Sequence, residues 1–154
     1  MGPTTPQTTG LGSELLTVVA KLNRLATQRI PLPLPWAQAR LLGTIDDQGE
    51  ARISDLAELD HCSQPTMTTQ VRRLEDAGLV TRTPDPDDAR AVRIRITPEG
   101  QRILARVRAD RAAVIDPRIE RLTEQDRETL SAAVGALHRL LDDLDTSPDS
   151  VTDR

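Results

Sequence analysis

The 154-residue chain has no phenylalanine, no tyrosine, one tryptophan, one cysteine and one lysine. Without aromatic volume, a core has to be assembled from Leu, Ile, Val, Ala and Met, which suits helix packed on helix. A single cysteine, Cys62, excludes an internal disulfide and a cysteine-based metal cluster. The two histidines, His61 and His138, stand apart without ligand-type neighbours, so no metal site is expected. No run approaches the roughly 18 apolar residues that a membrane span needs. There is no glycine-rich phosphate loop and no nucleophile elbow, so no catalytic residue, no cofactor and no enzyme is expected. The opening MGPTTPQTTG has neither a basic stretch nor an apolar run, which does not fit a signal peptide. A cytoplasmic protein with no membrane partner is the expectation.

What the chain does have is charge, at 29 % of residues, with a net value of −4. The distribution is uneven. Residues 1–62 carry 5 basic and 7 acidic groups, residues 63–111 carry 10 and 7, and residues 112–154 carry 5 and 10. Local rather than net charge governs attraction to phosphates, and the positive excess lies in the middle stretch.

Residues 1–12 have no periodicity and read as a disordered tail, as do 146–154. From Ser13, Leu15, Val18, Val19, Leu22 and Leu25 recur at helical steps, until the PLPLP run ends the helix near Ile30. A second helix begins near Pro35–Trp36, carries Leu41, Leu42 and Ile45 inward and stops at Gly49. Ala51–Ile53 reads as a short extended piece, followed by a short helix capped by Ser54. The next helix starts at Ser63 or Gln64, with Pro65 in its first turn. Met67, Val71 and Leu74 form its buried stripe, and Gly78 caps its end.

That stripe leaves Pro65, Thr66, Thr69 and Arg73 on the opposite face, flanked by Thr68 and Arg72. Hydroxyls early and arginines late suit a major groove, where Thr reaches base edges or a thymine methyl and Arg takes guanine or phosphate. An ordinary amphipathic surface helix would show the same pattern. The following segment separates the two readings. Leu79–Thr83 and Ala91–Ile96 read as strands, the second alternating Val92, Ile94 and Ile96 with Arg93 and Arg95. The PDPDDAR stretch between them reads as a hairpin tip outside any core. Arg90 at this tip suits a narrow minor groove, and Asp88 is expected to orient its guanidinium through a charge-assisted hydrogen bond.

Thr97-Pro98-Glu99 starts another helix, with Ile103, Leu104, Val107, Val114 and Ile115 on one face. Pro117 is expected to kink or restart it, with Asp116 as cap. Thr123 caps the last helix, whose stripe is Leu130, Val134, Leu137, Leu140, Leu141 and Leu144. The first and last helices carry more apolar surface than one small winged module can cover. A second copy of the chain would cover it and would present two recognition helices to two half-sites.

Ser54–Gly100 closely resembles the winged helix-turn-helix of the MarR family of bacterial transcription regulators. The resemblance rests on SDLAELDHCSQPTMTTQVRRLEDAGLVTR and on the wing motif DDARAVRIRITPEG, where the family's Asp-x-Arg pair falls on Asp88 and Arg90, with Ile96-Thr97 at the family's spacing. With the flanking helices it spans about residues 13–145. It implies a mainly α fold with a small β-wing: one domain over 13–145, a winged helix-turn-helix over about 35–100 and dimerisation helices over about 13–30 and 98–145. It also implies a homodimeric repressor that binds double-stranded DNA at a pseudo-palindromic operator and responds to a small-molecule effector. Base reading carries over to Gln64, Pro65, Thr66, Thr69 and Arg73, with Ser63, Thr68 and Arg72 beside them. The ligand crevice of relatives would be lined here by Arg29, Trp36 and Arg40, although a tryptophan at such a position is more often core. The chain departs from the family in having Thr69 where Arg is frequent, in Pro117, and in lacking an N-terminal reactive cysteine; Cys62 reads as a small buried apolar residue in the helix-turn-helix turn. A winged-helix module for protein–protein contacts, without DNA binding, is the competing reading.

Overall fold

A computed structural model of the chain describes residues 10–28 and 31–145. Residues 1–9 and 146–154, which hold most of the expected tails, and Arg29 and Ile30 lie outside the described residues. The helices are α1 (Leu11–Gln28), α2 (Trp36–Gln48), α3 (Ile53–Leu59), α4 (Gln64–Asp76), α5 (Pro98–Ile119) and α6 (Glu124–Asp145). The strands are β1 (Glu50–Arg52), β2 (Val80–Pro84) and β3 (Val92–Ile96). The fold is thus mainly α with a small β-wing, as expected. Its described residues form two compact units, one ending at Val114 and one beginning at Ile115.

In the first unit, α1 begins two residues earlier than its composition suggests. Leu11 lies one turn before Leu15 and extends the same stripe, and the Glu14 N–H donates to the Gly10 carbonyl at 3.0 Å. Helix α2 buries Ala39, Leu41, Leu42 and Ile45, and ends at Gly49, whose φ of 70° favours glycine. The chain then enters a three-stranded antiparallel sheet of order β1-β3-β2. The short extended piece expected at Ala51–Ile53 is strand β1, which pairs Ala51 with Ile94 and Arg52 with Arg93. Because β1 runs directly into α3, the residue at the cap position is Arg52 in an extended conformation, not Ser54. The Ser54 hydroxyl instead donates to the Asp55 carboxylate at 3.2 Å.

Helix α4 is held against the core by Met67, Val71 and Leu74, none of them accessible to solvent. Each such side chain contributes roughly 1.5–3 kcal/mol of burial. Its end is a Schellman motif: the Gly78 N–H donates to the Glu75 carbonyl at 2.8 Å, and the Leu79 N–H reaches back to the Leu74 carbonyl at 2.9 Å. Gly78 takes the required positive φ, 72°.

Helix α5 is built onto that stop. The Thr97 N–H donates to the Leu79 carbonyl at 3.0 Å, and its hydroxyl donates to the Gly78 carbonyl at 2.7 Å. The same hydroxyl oxygen accepts the Gly100 N–H at 3.0 Å, the expected cap. Gly100 is buried, and a Cβ there would lie 2.2 Å from the Leu79 carbonyl oxygen. Pro117 does not break α5: the Glu120 N–H still donates to the Asp116 carbonyl at 2.9 Å, and Asp116 starts no new helix. The proline stands in the last turn, where its fixed φ fits the helix and one missing bond is the main loss.

In the second unit, α6 is capped by Thr123, whose hydroxyl accepts the Asp126 N–H at 3.1 Å. Its apolar side chains Leu130, Val134, Leu140 and Leu141 are exposed, Leu141 by 57 %. In the first unit, α1 likewise exposes Leu11, Leu16, Val18, Val19 and Leu22, Leu16 by 70 %.

Two glycines separate close approach from mere absence of a side chain. Replacing Gly100 with Ala drives a methyl group into the Leu79 backbone and should cost about 2–3 kcal/mol or more, lowering the melting temperature by roughly 5–10 °C. Gly43 sits mid-helix in α2 with only Leu104 near its missing Cβ, at 3.9 Å. Gly43→Ala should therefore leave the melting temperature unchanged or raise it. Thermal melts followed by circular dichroism at 222 nm compare the two directly.

Candidate nucleic-acid interface

The site is built on α4 and on the hairpin of β2 and β3. Ser63 is the cap of α4: its hydroxyl oxygen accepts the Thr66 N–H at 3.3 Å and lies 2.8 Å from the Thr66 hydroxyl. Pro65 occupies the first turn, where its missing N–H costs no helix bond. With the buried stripe turned inward, Ser63, Gln64, Pro65, Thr66, Thr68, Thr69, Arg72 and Arg73 are all exposed. The Thr69 hydroxyl donates to the Pro65 carbonyl at 3.0 Å. Its proton is thus used within the helix, leaving the oxygen as an acceptor and the methyl group as an apolar contact.

The wing tip differs from expectation. The Asp88 carboxylate accepts the backbone N–H of Arg90 at 2.9 Å, so it shapes the turn and not the guanidinium. A two-residue spacing favours such a turn because a short carboxylate reaches the backbone two residues on more readily than it reaches the end of an arginine. Residues 86–90 are all exposed. The first aspartate of the PDPDDAR stretch is the exception to its assignment outside the core, since Asp85 is only 3 % exposed. Its carboxylate accepts Arg52 Nε at 2.7 Å, Arg93 Nε at 3.1 Å, Arg93 Nη2 at 3.4 Å and the Asp87 N–H at 2.9 Å. Hydrogen bonds from Arg52, then Arg93, then the Asp87 backbone hold the Asp85 carboxyl well below the usual carboxylate value. The signal that could have revealed Asp85 is the strand register. Arg52 and Arg93 stand opposite each other across the β1–β3 ladder, and like charges so placed require an acid between them.

Most other cations are also committed. Arg93 reaches Asp87 at 3.0 Å and Glu50 at 3.5 Å, and Arg95 pairs with Glu50. Arg82 of β2 donates to Glu75 of α4 at 2.7 Å, tying the wing to that helix. Arg102, Arg106 and Arg108 pair with Glu99, Asp110 and Asp46. Among the described residues, the arginines between 63 and 111 outside any ion pair are Arg72, Arg73, Arg90 and Arg111.

Of the residues expected at a ligand crevice, Trp36 and Arg40 stand one turn apart on α2. Arg29 lies outside the described residues, and Arg40 pairs with Asp60. Trp36 packs against the core with the Arg111 guanidinium over its ring, 4.3 Å from the centroid. Arg111 also donates to the Asn23 side chain at 2.7 Å. Its Nε is buried without a hydrogen-bond partner, and burial pulls the group below the ordinary arginine value. Nothing in the sequence brings residues 23, 36 and 111 together, so Arg111 was not anticipated.

Three core-packed helices whose last member is exposed along one face, followed by a hairpin wing, define a winged helix-turn-helix transcription regulator. The MarR family model matches residues 34–92. The organic hydroperoxide resistance transcriptional regulator of Bacillus subtilis is 31 % identical over 124 residues, 80 % of this chain and 74 % of its own. The HTH-type transcriptional regulator Mb0904 of Mycobacterium bovis is 28 % identical over 134 residues, 86 % of this chain and 94 % of its own. The fold is that of Escherichia coli MarR, 24 % identical, with a TM-score of 0.70 for the apo form over 82 % of this chain and 95 % of that one. A mutant of that protein complexed with operator DNA gives 0.57 over 82 % and 92 %. The chain belongs to the MarR family of transcription regulators.

The Asp85 cluster sets a pH dependence. A carboxylate whose folded value is depressed contributes stability above its unfolded value, about 4, and that contribution is lost as pH falls below it. Asp85→Asn lacks it at every pH. Urea midpoints between pH 7 and pH 3 should show the wild-type advantage over D85N narrowing as the solution is acidified, mostly below pH 4.

Proposed function

We propose that the chain is a homodimeric repressor that binds double-stranded DNA at a pseudo-palindromic operator. In this reading α4 enters the major groove, where Gln64, Pro65, Thr66, Thr69 and Arg73 meet base edges while Ser63, Thr68 and Arg72 meet the backbone. The wing places Arg90 in the adjacent minor groove, on a tip shaped by Asp88. The observation that carries the reading is the distribution of unpaired charge. Arg82, Arg93, Arg95, Arg102, Arg106 and Arg108 have carboxylate partners, whereas the exposed arginines of α4 and of the wing tip have none among the described residues. A surface that keeps its guanidinium groups uncommitted is suited to phosphate and base contacts. The exposed apolar faces of α1 and, separately, of α6 support a second copy as their cover, since each leucine removed from water contributes roughly 1.5–3 kcal/mol. The repressor sense belongs to the same proposal: a dimer seated where its operator overlapped a promoter would exclude polymerase.

An effector site at Trp36 belongs to the same proposal. The Arg111 guanidinium over that ring is the cation that an anionic effector such as a small aromatic carboxylate would meet there. Since Trp36 is the sole tryptophan, its fluorescence reports occupancy. Benzoate should change the emission of the wild type and leave that of Arg111→Ala unaltered.

DNA binding is tested by gel shift and fluorescence anisotropy on the region upstream of the chain's own gene. Affinity should fall linearly in log–log form with salt, with two chains per DNA in sedimentation. Arg90→Ala should weaken all sequences by about tenfold and reduce the salt slope by about one. Thr66→Ala should change the preference at one base position by about 1–3 kcal/mol. Wild type that shifts no DNA even at low salt would favour a protein–protein module instead.

A further inference from the structure

We propose that Asp85 is a positioning residue for DNA binding, holding the wing tip, and with it Arg90, in the conformation that meets DNA. The inference rests on the DNA-binding reading above. Asp85 is the buried charged residue among the described residues. A buried carboxylate is tolerated only when its lone pairs are filled, and four hydrogen bonds fill these. They join three separate pieces of chain: Arg52, where β1 becomes α3; Arg93 in the middle strand; and the Asp87 N–H inside the tip. The helix-turn-helix scaffold and the wing therefore meet at one carboxylate.

Stability alone does not require this arrangement, because well-packed apolar groups commonly replace buried ion pairs without loss. What the ionic arrangement adds is direction. Residues 86–90 are all exposed, so burial contributes little to fixing the tip. Its conformation is relayed instead through hydrogen bonds. The Asp85 N–H donates to the Ala91 carbonyl at 3.1 Å, and the Ala91 N–H donates to the Asp88 carbonyl at 2.9 Å. The Asp85 side chain takes the Asp87 N–H, and the Asp88 side chain takes the Arg90 N–H. Two successive turns thus run from the buried anchor to Arg90. Among the described residues Arg90 has no ion pair to hold it, so its readiness for DNA depends on the backbone beneath it. Pre-organising that backbone reduces the ordering cost at the moment of binding.

The test is a double-mutant cycle on operator affinity. Asp85→Asn preserves the shape and the acceptor for the Asp87 N–H while removing the charge that binds the two arginines. D85N should weaken binding by about tenfold, as much as R90A, and each should lower the salt slope by about one. The double variant should bind no more than about twofold worse than R90A alone, because Asp85 acts through Arg90. A purely structural role moves the melting temperature but leaves the two losses independent. The proposal is overturned if D85N binds as wild type while folded, or if the two losses multiply. Should D85N not fold, Arg52→Met takes its place in the same cycle, with Arg93 left to neutralise Asp85 and with the same two outcomes deciding. Wild type that binds no DNA, or R90A that binds as tightly as wild type, overturns the DNA-binding reading of the wing, whereas unchanged binding by D85N alone overturns only the role of Asp85.

Discussion

The Leu79 peptide is the point on which the rest of this structure depends. Its N–H closes the end of α4, and its carbonyl accepts the first N–H of the segment that starts α5. The same carbonyl faces Gly100 so closely that no side chain fits there. Its own side chain is buried. Recognition helix, wing and the long helix after the wing therefore share one residue, with hydrogen bonds on both sides. Gly78 and Gly100 are needed for different reasons, the first for a positive φ and the second for space. Between them they leave α4 little freedom to turn relative to α5, and neither effect depends on apolar packing alone.

A second organising rule is the pairing of charge. A net charge of −4 is a poor guide to what this chain attracts. The carboxylates of the winged unit are largely spent on its structural arginines, and the Asp85 cluster is the most buried case. Among the described residues, what stays outside ion pairs on α4 and the tip is Arg72, Arg73 and Arg90 against Asp76 and Asp88, a small positive excess. Screening over about 10 Å at ordinary salt makes that local excess, and not the net charge of the chain, the field a phosphate meets. The same logic explains why Arg90 is served by backbone turns. A guanidinium locked to Asp88 would need to break that bond before engaging another anion.

Much of this could be read in the residues. The helices followed from three- and four-residue apolar spacing, and their limits from Ser63, Gly78, Thr97 and Thr123, whose capping chemistry is local and so visible in a short window. The outward face of α4 followed from its buried stripe. What could not be read was non-local. A three-residue strand such as β1 has no period of its own, and only its partner Ile94 makes it a strand; its arrival displaced the cap from Ser54 to Arg52. Asp85 was hidden by composition, since a Pro- and Asp-rich stretch looks solvated until two arginines from other strands are brought to it. Arg111 and Trp36 are 75 positions apart, and nothing local predicts their stacking. Pro117 stands inside α5 without restarting it, and Asp116 is a helical residue there and not a cap.

Helix α5 also joins the two ends of the proposed mechanism. Arg111, over Trp36, lies eleven residues beyond Gly100, about 16 Å along a straight helix at 1.5 Å per residue. Three turns of helix transmit an axial shift rather than absorb it. At the Gly100 end there is no slack to take such a shift up, because the Leu79 carbonyl already occupies the space a methyl group would need. Close packing turns small displacements into rearrangement of the neighbour, not into compression. In the proposed effector site, a ligand that displaced Arg111 would therefore act on Leu79, which closes the end of α4. In the proposed dimer, where two α4 helices must match two half-sites, a small change of angle at that peptide is enough to spoil the fit. The effector would need no direct contact with the DNA-reading residues. A differential affinity of about 1–3 kcal/mol between the two arrangements is the usual scale of such coupling.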